Sequence, residues 1–274
     1  MVTFKKRDKC FVTDTTDEIV KCLTESFSVI EPTGHKVLVN DTSDTPLVIR
    51  GMTERKVIQV AEKQNRDYYY IDTGYMGNLH KRKDYHRVVK NNVQNMKPRY
   101  DLPDDRFRDI PQSMSSIRFR GWRRMNGPIL VVTPSAKPCN FYNIDRDTWV
   151  DETLAEIKKY TDREIIVRDK GLRRERVGEF SVPMQLVNEQ IHCVVTYNSI
   201  AATEAISTGV PAVALAPGAA DELCTKTIAE VESPYYPDEE KVLQWQNWLA
   251  YCNYTTTELR NNRALDIIEE YGLC

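Results

Sequence analysis

The sequence predicts an α/β protein with two parallel-sheet domains and a helical carboxyl end. Two features of the chain carry that prediction: short apolar, β-branched runs alternate with helical patterns, and a proline-bearing stretch over 97–115 separates two such series. A chain of 274 residues is long enough for two domains of roughly 110 to 150 residues each. We therefore predict an amino-terminal domain over 1–115 and a carboxy-terminal domain over 128–274.

In the amino-terminal domain, apolar residues at helical spacing predict a helix over 16–27. The β-branched and apolar runs predict strands over 36–39, 46–50 and 68–72, and a helix over 53–64 separates the last two. This order is a small βαβ region, whose strands run parallel. The carboxyl ends of parallel strands are where open α/β sheets place their ligands.

Asp72, Thr73 and Gly74 occupy one such strand end, which makes Asp72 a candidate catalytic carboxylate. A turn in which Asp72 caps its own backbone is the structural alternative. His86 is a second candidate base, because imidazole exchanges protons near neutral pH.

Two basic clusters with interleaved aromatic residues flank the crossing segment. A solvated surface is the ordinary interpretation, but such clusters also suit a polyanion whose phosphates bind cations and whose bases stack. The candidate polyanion-binding residues are His80, Lys81, Arg82, Lys83, Arg87, Lys90, Arg118, Arg120, Arg123 and Arg124.

In the carboxy-terminal domain, strands are predicted over 129–132, 164–167, 193–195 and 211–215. Helices are predicted over 147–160, 199–207, 238–250 and 255–270, and Gly209 ends the second of these. Three strand ends carry polar residues, and their convergence favours a nucleotide or phosphate cleft over a plain sheet edge. The residues at these ends are Thr133, Ser135, Arg168, Lys170, Tyr197, Asn198 and Ser199.

Composition and missing motifs narrow the function classes. A chain with 41% hydrophobic and 28% charged residues is typical of soluble globular proteins, and a net charge of −2 leaves polyanion binding to local patches. The seven cysteines have no metal-ligand spacing, so we expect no metal site, no disulfide framework and a cytoplasmic location. No apolar run predicts a membrane span or export signal. The GxxxxGK[ST], GxGxxG, GxSxG and HExxH motifs are absent.

The run from Thr196 to Leu215 resembles the donor-binding half of GT-B-fold glycosyltransferases. It contains the pattern S-x-x-x-x-E-A-x-x-x-G-x-P, with Ser199, Glu204, Gly209 and Pro211 at its fixed positions. The resemblance covers about residues 128 to 270 and implies two Rossmann-like domains that face each other across a cleft, in a compact GT-B-like version. The closing helix is expected to return to the amino-terminal domain, as it does in that fold.

The resemblance also implies roles for individual residues. Asn198 and Ser199 would hold the diphosphate of a nucleotide-sugar, with a UDP-sugar foremost, and Glu204 would hold ribose or sugar hydroxyls. Asp72 would deprotonate the acceptor. No tightly bound cofactor is implied. The second glutamate of many retaining members is not evident, and the amino-terminal domain is shorter than usual, so the stereochemical class stays open.

Within that superfamily, the small size and the basic amino half are similar to phage enzymes that glycosylate hydroxymethylated pyrimidines, such as hydroxymethylcytosine, in DNA. Double-stranded DNA would then be the partner, in the cytoplasm of the phage's host. Two other classes stay open: a nucleic-acid-binding protein without catalysis, and a nucleotide-binding hydrolase or phosphotransferase on an α/β scaffold. The sequence leaves the sugar, the nucleotide and the oligomeric state undetermined.

Overall fold

The computed structural model describes residues 6–52, 55–76, 85–112, 117–169 and 181–273. The strands are β1 (Arg7–Val12), β2 (Phe27–Pro32), β3 (Leu47–Arg50), β4 (Tyr68–Thr73), β5 (Tyr85–Lys90), β6 (Ile129–Val132), β7 (Ile165–Arg168), β8 (Cys193–Thr196), β9 (Ala212–Ala214) and β10 (Tyr254–Thr255). The helices are α1 (Glu18–Thr24), α2 (His35–Leu38), α3 (Arg55–Lys63), α4 (Asp105–Asp109), α5 (Ala136–Tyr142), α6 (Arg146–Ile157), α7 (Val182–Asn188), α8 (Ile200–Thr208), α9 (Glu239–Tyr251), α10 (Thr256–Arg260) and α11 (Arg263–Tyr271).

These residues form two compact units. The first unit contains residues 6–52, 55–76, 85–97 and 251–273, and the second contains residues 98–112, 117–169 and 181–250. Each unit has its own sheet. Within the described ranges, no helix is long and apolar enough to cross a membrane.

The sheet of the first unit has six strands in the order β10-β5-β4-β3-β1-β2. Strands β1 to β4 pair in parallel, whereas β5 and β10 are antiparallel to their neighbours. The chain places β2 on one side of β1 and β3 on the other, so the topological switch point of this sheet lies between β1 and β3. Helices α10 and α11, from the end of the chain, belong to this unit.

The predicted elements of this unit are partly correct. The strands over 46–50 and 68–72 and the helix over 53–64 are confirmed as β3, β4 and α3, with shifted ends. The strand predicted over 36–39 is wrong, because these residues belong to α2, a single helical turn with Val37 60% exposed. The helix predicted over 16–27 is shorter, and Phe27 begins β2. Asp17 fixes its start by accepting hydrogen bonds from the backbone N–H groups of Ile19 and Val20.

The sheet of the second unit has four parallel strands in the order β7-β6-β8-β9. Strands β6 and β8 are buried on both faces, as the apolar runs ILVV and CVVT require. From β6 the chain moves to β7 on one side and then to β8 on the other, so the switch point lies between β6 and β8. The strands predicted here are confirmed, each within one or two residues at its ends.

Helix α8 connects β8 to β9, and the sequence fixes both of its ends. The Ser199 hydroxyl caps the start by accepting from the backbone N–H of Ala201 at 3.2 Å. Gly209 ends the helix in the left-handed conformation, with φ 82°. A Cβ on Gly209 would lie 2.3 Å from the carbonyl oxygen of Gly121, so only glycine fits this close approach.

The helices near the end of the chain depart from the predicted pattern in one place. The helix predicted over 255–270 consists of α10 and α11, which are separated at Asn261 and Asn262, where Asn262 has φ 67°. Thr255 and Glu258 form a capping box at the start of α10, as Thr255 and the residues after it predict. The helix predicted over 238–250 is confirmed as α9.

Candidate functional site

The switch point of the second sheet brings two predicted strand ends side by side. Val132 and Thr196 are register partners on β6 and β8, and the Thr196 hydroxyl donates to the Val132 carbonyl at 3.2 Å. The polar residues that follow these strands, Thr133 on one side and Tyr197 on the other, therefore start from adjacent positions. Ser135 lies just beyond, at the N-cap of α5, and makes no side-chain capping bond.

Asn198 lies at the same edge, directly before the N-cap of α8. Its side chain is buried, with the residue 8% exposed, and its Nδ2 donates to no partner within the described residues. The loop after β9 passes close by, because a Cβ on Gly218 would lie 3.8 Å from the Cβ of Asn198. A buried donor without an acceptor is costly, and here it lies beside the positive end of a helix dipole. This combination suits an anion, of which a phosphate group is the common case.

A hydrogen-bonded network at the ends of β6 and β7 was not predicted. The Thr133 hydroxyl donates to Asp169 Oδ1 at 2.8 Å, and Arg146 Nη2 donates to the same carboxylate oxygen and to the Thr133 hydroxyl. The Thr133 hydrogen bond, together with Arg146 and against some desolvation, holds the pKa of Asp169 below its ordinary value. Asp169 is therefore a charged, oriented acceptor at the edge of the sheet.

Arg168, at the end of β7, and Glu204, on α8, influence each other electrostatically. Arg168 Nη1 donates to the Gln185 side-chain oxygen on α7 at 2.5 Å. Burial raises the pKa of Glu204 to about 7, although the Arg168 guanidinium lowers it. Burial also lowers the pKa of Arg168, against Glu204 and Glu189. The Arg168 guanidinium is charged at neutral pH and is a type of group that binds phosphate, whereas Glu204 is divided between its two protonation states.

Aromatic side chains border the same strand ends. The Tyr197 ring lies 5.6 Å from the Tyr142 ring and 6.4 Å from the Trp149 ring, between centroids. Tyr142 also contacts Phe141, at 5.0 Å. Rings of this kind offer faces on which a nucleobase can stack. Lys170, the last predicted donor-site residue, lies outside the described residues.

In the first unit, Asp72 is held by three hydrogen bonds at the end of β4. Its carboxylate accepts from the Thr73 N–H at 2.7 Å, the Tyr70 hydroxyl at 3.0 Å and Arg87 Nη2 at 3.2 Å. Burial alone would raise the pKa of Asp72, but Arg87 and the hydrogen bonds lower it below its ordinary value. Asp72 is thus ionised at neutral pH. His86, on β5, is 1% exposed and lies within the sheet.

The basic residues predicted to bind a polyanion fall into different environments. Arg87 is buried against Asp72, and Lys90 pairs with Asp67 at 2.8 Å. Arg123 Nε donates to the Thr208 carbonyl at the end of α8. Arg118 and Arg124 lie over the rings of Phe107 and Tyr236, and Arg120 is exposed. His80, Lys81, Arg82 and Lys83 lie outside the described residues.

The amino-terminal edge of the second sheet holds an open depression of about 610 Å³, at the opposite ends of the strands. Arg163 in this depression is paired with Glu232, and Lys159 with Glu156. Two of the cations that line it are therefore already paired, and the carboxyl edge, with its buried Asn198 donor, is the better candidate site. Across the described ranges, no group of three or more His, Cys, Asp and Glu side chains could hold a metal ion.

No protein-family model matches this sequence, and no curated protein matches it. Among solved structures, the chain is similar to the β-Kdo 2,7 transferase of KpsC from Thermosulfurimonas dismutans, with a TM-score of 0.50, 11% identity, and coverage of 94% of this chain and 100% of that one. It also matches the β-Kdo 2,4 transferase of the same KpsC, with a TM-score of 0.48, 13% identity, and coverage of 88% and 90%. A third match is UDP-GlcNAc 2-epimerase from Methanocaldococcus jannaschii, in complex with UDP-GlcNAc and UDP, with a TM-score of 0.31, 14% identity, and coverage of 97% and 100%.

At these identities the similarity concerns the fold. The first of these matches spans nearly the whole chain. The predicted fold class, an α/β protein of the GT-B-like type with two sheets and a helical carboxyl end, is confirmed.

Proposed function

We propose that this protein is a glycosyltransferase that takes a sugar from a nucleotide-diphosphate sugar, foremost a UDP-sugar, and transfers it to an acceptor hydroxyl. The observation that carries the proposal is the start of α8 at the switch point, where the buried Asn198 amide donor has no partner among the described residues. A diphosphate would accept from Asn198 and from backbone N–H groups at this helix start. The fold shared with a Kdo transferase supports the reaction class by analogy.

In the proposed transfer reaction, each of the candidate site residues has a defined role. The bond between the anomeric carbon and the diphosphate oxygen breaks, and the diphosphate leaves with the electron pair. Arg168 and the α8 N–H groups stabilise the charge that develops on it. The acceptor oxygen bonds to the anomeric carbon and loses its proton, for which Asp72 is our proposed base because it is ionised.

Replacing Arg168 by alanine should weaken the binding of nucleoside diphosphates, because a charge-assisted hydrogen bond to a phosphate is typically worth about 1.5 to 3 kcal/mol. We expect UDP affinity, measured by isothermal titration calorimetry, to fall at least tenfold. Lys158→Ala, an exposed change at the C-cap of α6, is the matched control and should leave affinity unchanged. Unchanged UDP affinity in a folded Arg168→Ala variant would remove Arg168 from the site, and release of inorganic phosphate instead of a nucleoside diphosphate would indicate a hydrolase.

For the acceptor, we propose hydroxymethylated pyrimidine in double-stranded DNA. The exposed cations Arg120 and Arg124 support it, since each phosphate that a cation neutralises adds nearly one unit to the slope of log affinity against log salt. The base would leave the stack to reach the donor sugar.

Asp72→Asn should slow sugar transfer to hydroxymethylcytosine DNA on the order of a hundredfold, because it removes the proton acceptor.

Changing Arg120 and Arg124 together to alanine should reduce the salt slope of DNA binding by nearly two, whereas Arg108→Ala, which removes an exposed arginine on α4, should change it less. Radiolabelled sugar transfer and filter binding measure the two effects. DNA affinity that does not vary with salt would indicate a different acceptor, and transfer that survives Asp72→Asn would exclude Asp72 as the base.

A further inference from the structure

Asp169 presents an unused acceptor at the edge of the second sheet. Its Oδ1 is occupied by the Thr133 hydroxyl and by Arg146, whereas its Oδ2 accepts no hydrogen bond from the part of the chain that the structure describes. The side chain is 64% exposed, so a ligand can reach it. Two partners on one oxygen fix the plane of the carboxylate, and the other oxygen then faces a defined direction.

The position of Asp169 in the sheet indicates which part of a bound nucleotide this acceptor could contact. It follows β7, the strand that the chain enters next after β6, and the Thr133 N–H donates to the Arg168 carbonyl at 3.0 Å, which holds the two strand ends together. In βαβ units that bind nucleotides, the phosphate lies at the switch point and an acidic side chain at the end of the neighbouring strand meets the ribose hydroxyls. Asn198 follows β8 at the switch point, and Asp169 follows β7, which pairs with β6 on the opposite side from β8.

Glu204 is the competing carboxylate for this role, since the sequence resemblance assigns it to ribose or sugar hydroxyls. Its environment differs from that of Asp169, because Glu204 lies in the second turn of α8, is largely covered, and faces the Arg168 guanidinium. A carboxyl group that is partly protonated at neutral pH accepts hydrogen bonds less strongly than an ionised one. Asp169, which stays ionised, is the stronger acceptor for a hydroxyl group.

We infer that Asp169 accepts a hydrogen bond from the ribose 2′-hydroxyl of the donor nucleotide, so that the site selects ribonucleotides over 2′-deoxyribonucleotides, with Thr133 and Arg146 as positioning residues. The inference rests on the proposed function, because it places a nucleotide at this edge. It adds the class of nucleotide that the site accepts. A hydroxyl that meets a charged acceptor binds roughly tenfold or more tightly than the analogue without it.

The test compares UDP with 2′-deoxy-UDP, and ADP, GDP and CDP with their 2′-deoxy forms, by calorimetry on the full chain. Wild-type protein should bind the preferred ribonucleotide roughly tenfold or more tightly than its 2′-deoxy form. Asp169→Asn should lower the ribonucleotide affinity by about that factor and leave the deoxyribonucleotide affinity within about twofold, which a general loss of structure would not do. Arg146→Met should reduce the preference partly. Asp151→Asn, an exposed carboxylate on α6, is the matched control and should change neither affinity.

The outcomes separate the two proposals. If wild-type protein bound the ribonucleotide and its 2′-deoxy form with equal affinity, the role of Asp169 would be overturned, but nucleotide binding at this site would still be supported. A ribose preference that survives Asp169→Asn, or that is lost in Glu204→Gln instead, would transfer the role to Glu204. Failure of all four ribonucleoside diphosphates to bind would overturn both this inference and the proposed function.

Discussion

Replacing Arg87 by methionine is expected to lower the free energy of unfolding by about 3 kcal/mol, because the change leaves the largely buried Asp72 carboxylate without its cation. The Arg87 side chain is 8% exposed and that of Asp72 is 35% exposed, so solvent screens the remaining charge only in part. The variant also loses the hydrogen bond from Arg87 Nη1 to the Thr73 carbonyl, at 3.3 Å, and the contact of the guanidinium with the Tyr75 ring, at 5.0 Å.

A matched control lies on the same strand. Lys90 pairs with Asp67 at 2.8 Å, but both side chains are more exposed, so Lys90→Met should cost less than about 1 kcal/mol. Urea unfolding of both variants measures the difference. Asp72→Asn combined with Arg87→Met should recover part of the loss, since the unpaired charge is then removed. Equal destabilisation by the two single changes would contradict the assignment of the Asp72–Arg87 pair as a buried one.

Replacing Glu204 by glutamine is expected to stabilise the protein at pH 8 by about 2 to 3 kcal/mol and to change little at pH 4.5. The pKa of Glu204 is raised from 4.5 to about 7 in the folded protein. Below pH 4.5 the carboxyl group is protonated in both states. Between pH 4.5 and 7 the Glu204 carboxyl ionises in the unfolded chain but not in the folded protein, so wild type loses stability as the pH rises, at up to about 1.4 kcal/mol per pH unit.

Glutamine has the shape of the protonated side chain and does not ionise, so the stability difference between the variants should grow through this pH window and then level off. Chemical unfolding of both proteins at intervals from pH 4.5 to 8.5 measures it. Glu189→Gln, an exposed change that also removes a carboxylate acting on Arg168, is the control for altered charge around that guanidinium. A constant difference between Glu204→Gln and wild type across the whole range would show that Glu204 titrates at its ordinary pKa in the folded protein.

The second unit could be predicted well because its signals are local. Strands β6 and β8 are continuous apolar runs, and Ser199 and Gly209 mark the two ends of α8. Helices α5 and α7 were missed, because Ala136–Tyr142 and Val182–Asn188 each contain a proline in a short stretch without clear periodicity. Pro183 occupies the first turn of α7, where proline is tolerated.

The first unit could be predicted less well because tertiary contacts decide its strands. The pattern YHRVVK has the composition of a charged surface, yet it forms β5, in which Arg87 pairs with a carboxylate fifteen positions earlier. Similarly, the charges in β1 conceal the buried residues Cys10 to Val12, and the edge strand β2 carries five exposed positions. Antiparallel register between β4 and β5 brings these partners together, and single-sequence periodicity does not encode it.

In the candidate site, too, some residues could be predicted from local sequence and others depend on the tertiary structure. The strand ends that carry Thr133, Arg168 and Asn198 were predicted from sequence, because the α/β pattern dictates where parallel strands end. Asp169 lies between Arg168 and Lys170, and in a sequence that predicts a phosphate site these two cations are the expected ligands. The missing signal was its position at the end of β7, the strand paired with β6, which only the strand order reveals.

The return of the chain to the first unit also affects the order in which the protein can be built during synthesis. The second unit is complete once residue 250 has been made, whereas β10, which pairs with β5, and helices α10 and α11 come from residues 254–271. At about 5 to 20 residues per second, a ribosome needs roughly 1 to 5 s to add that last segment. Until β10 is in place, the β5 edge is open to other chains. The unit that begins first in the sequence is therefore the one that finishes last.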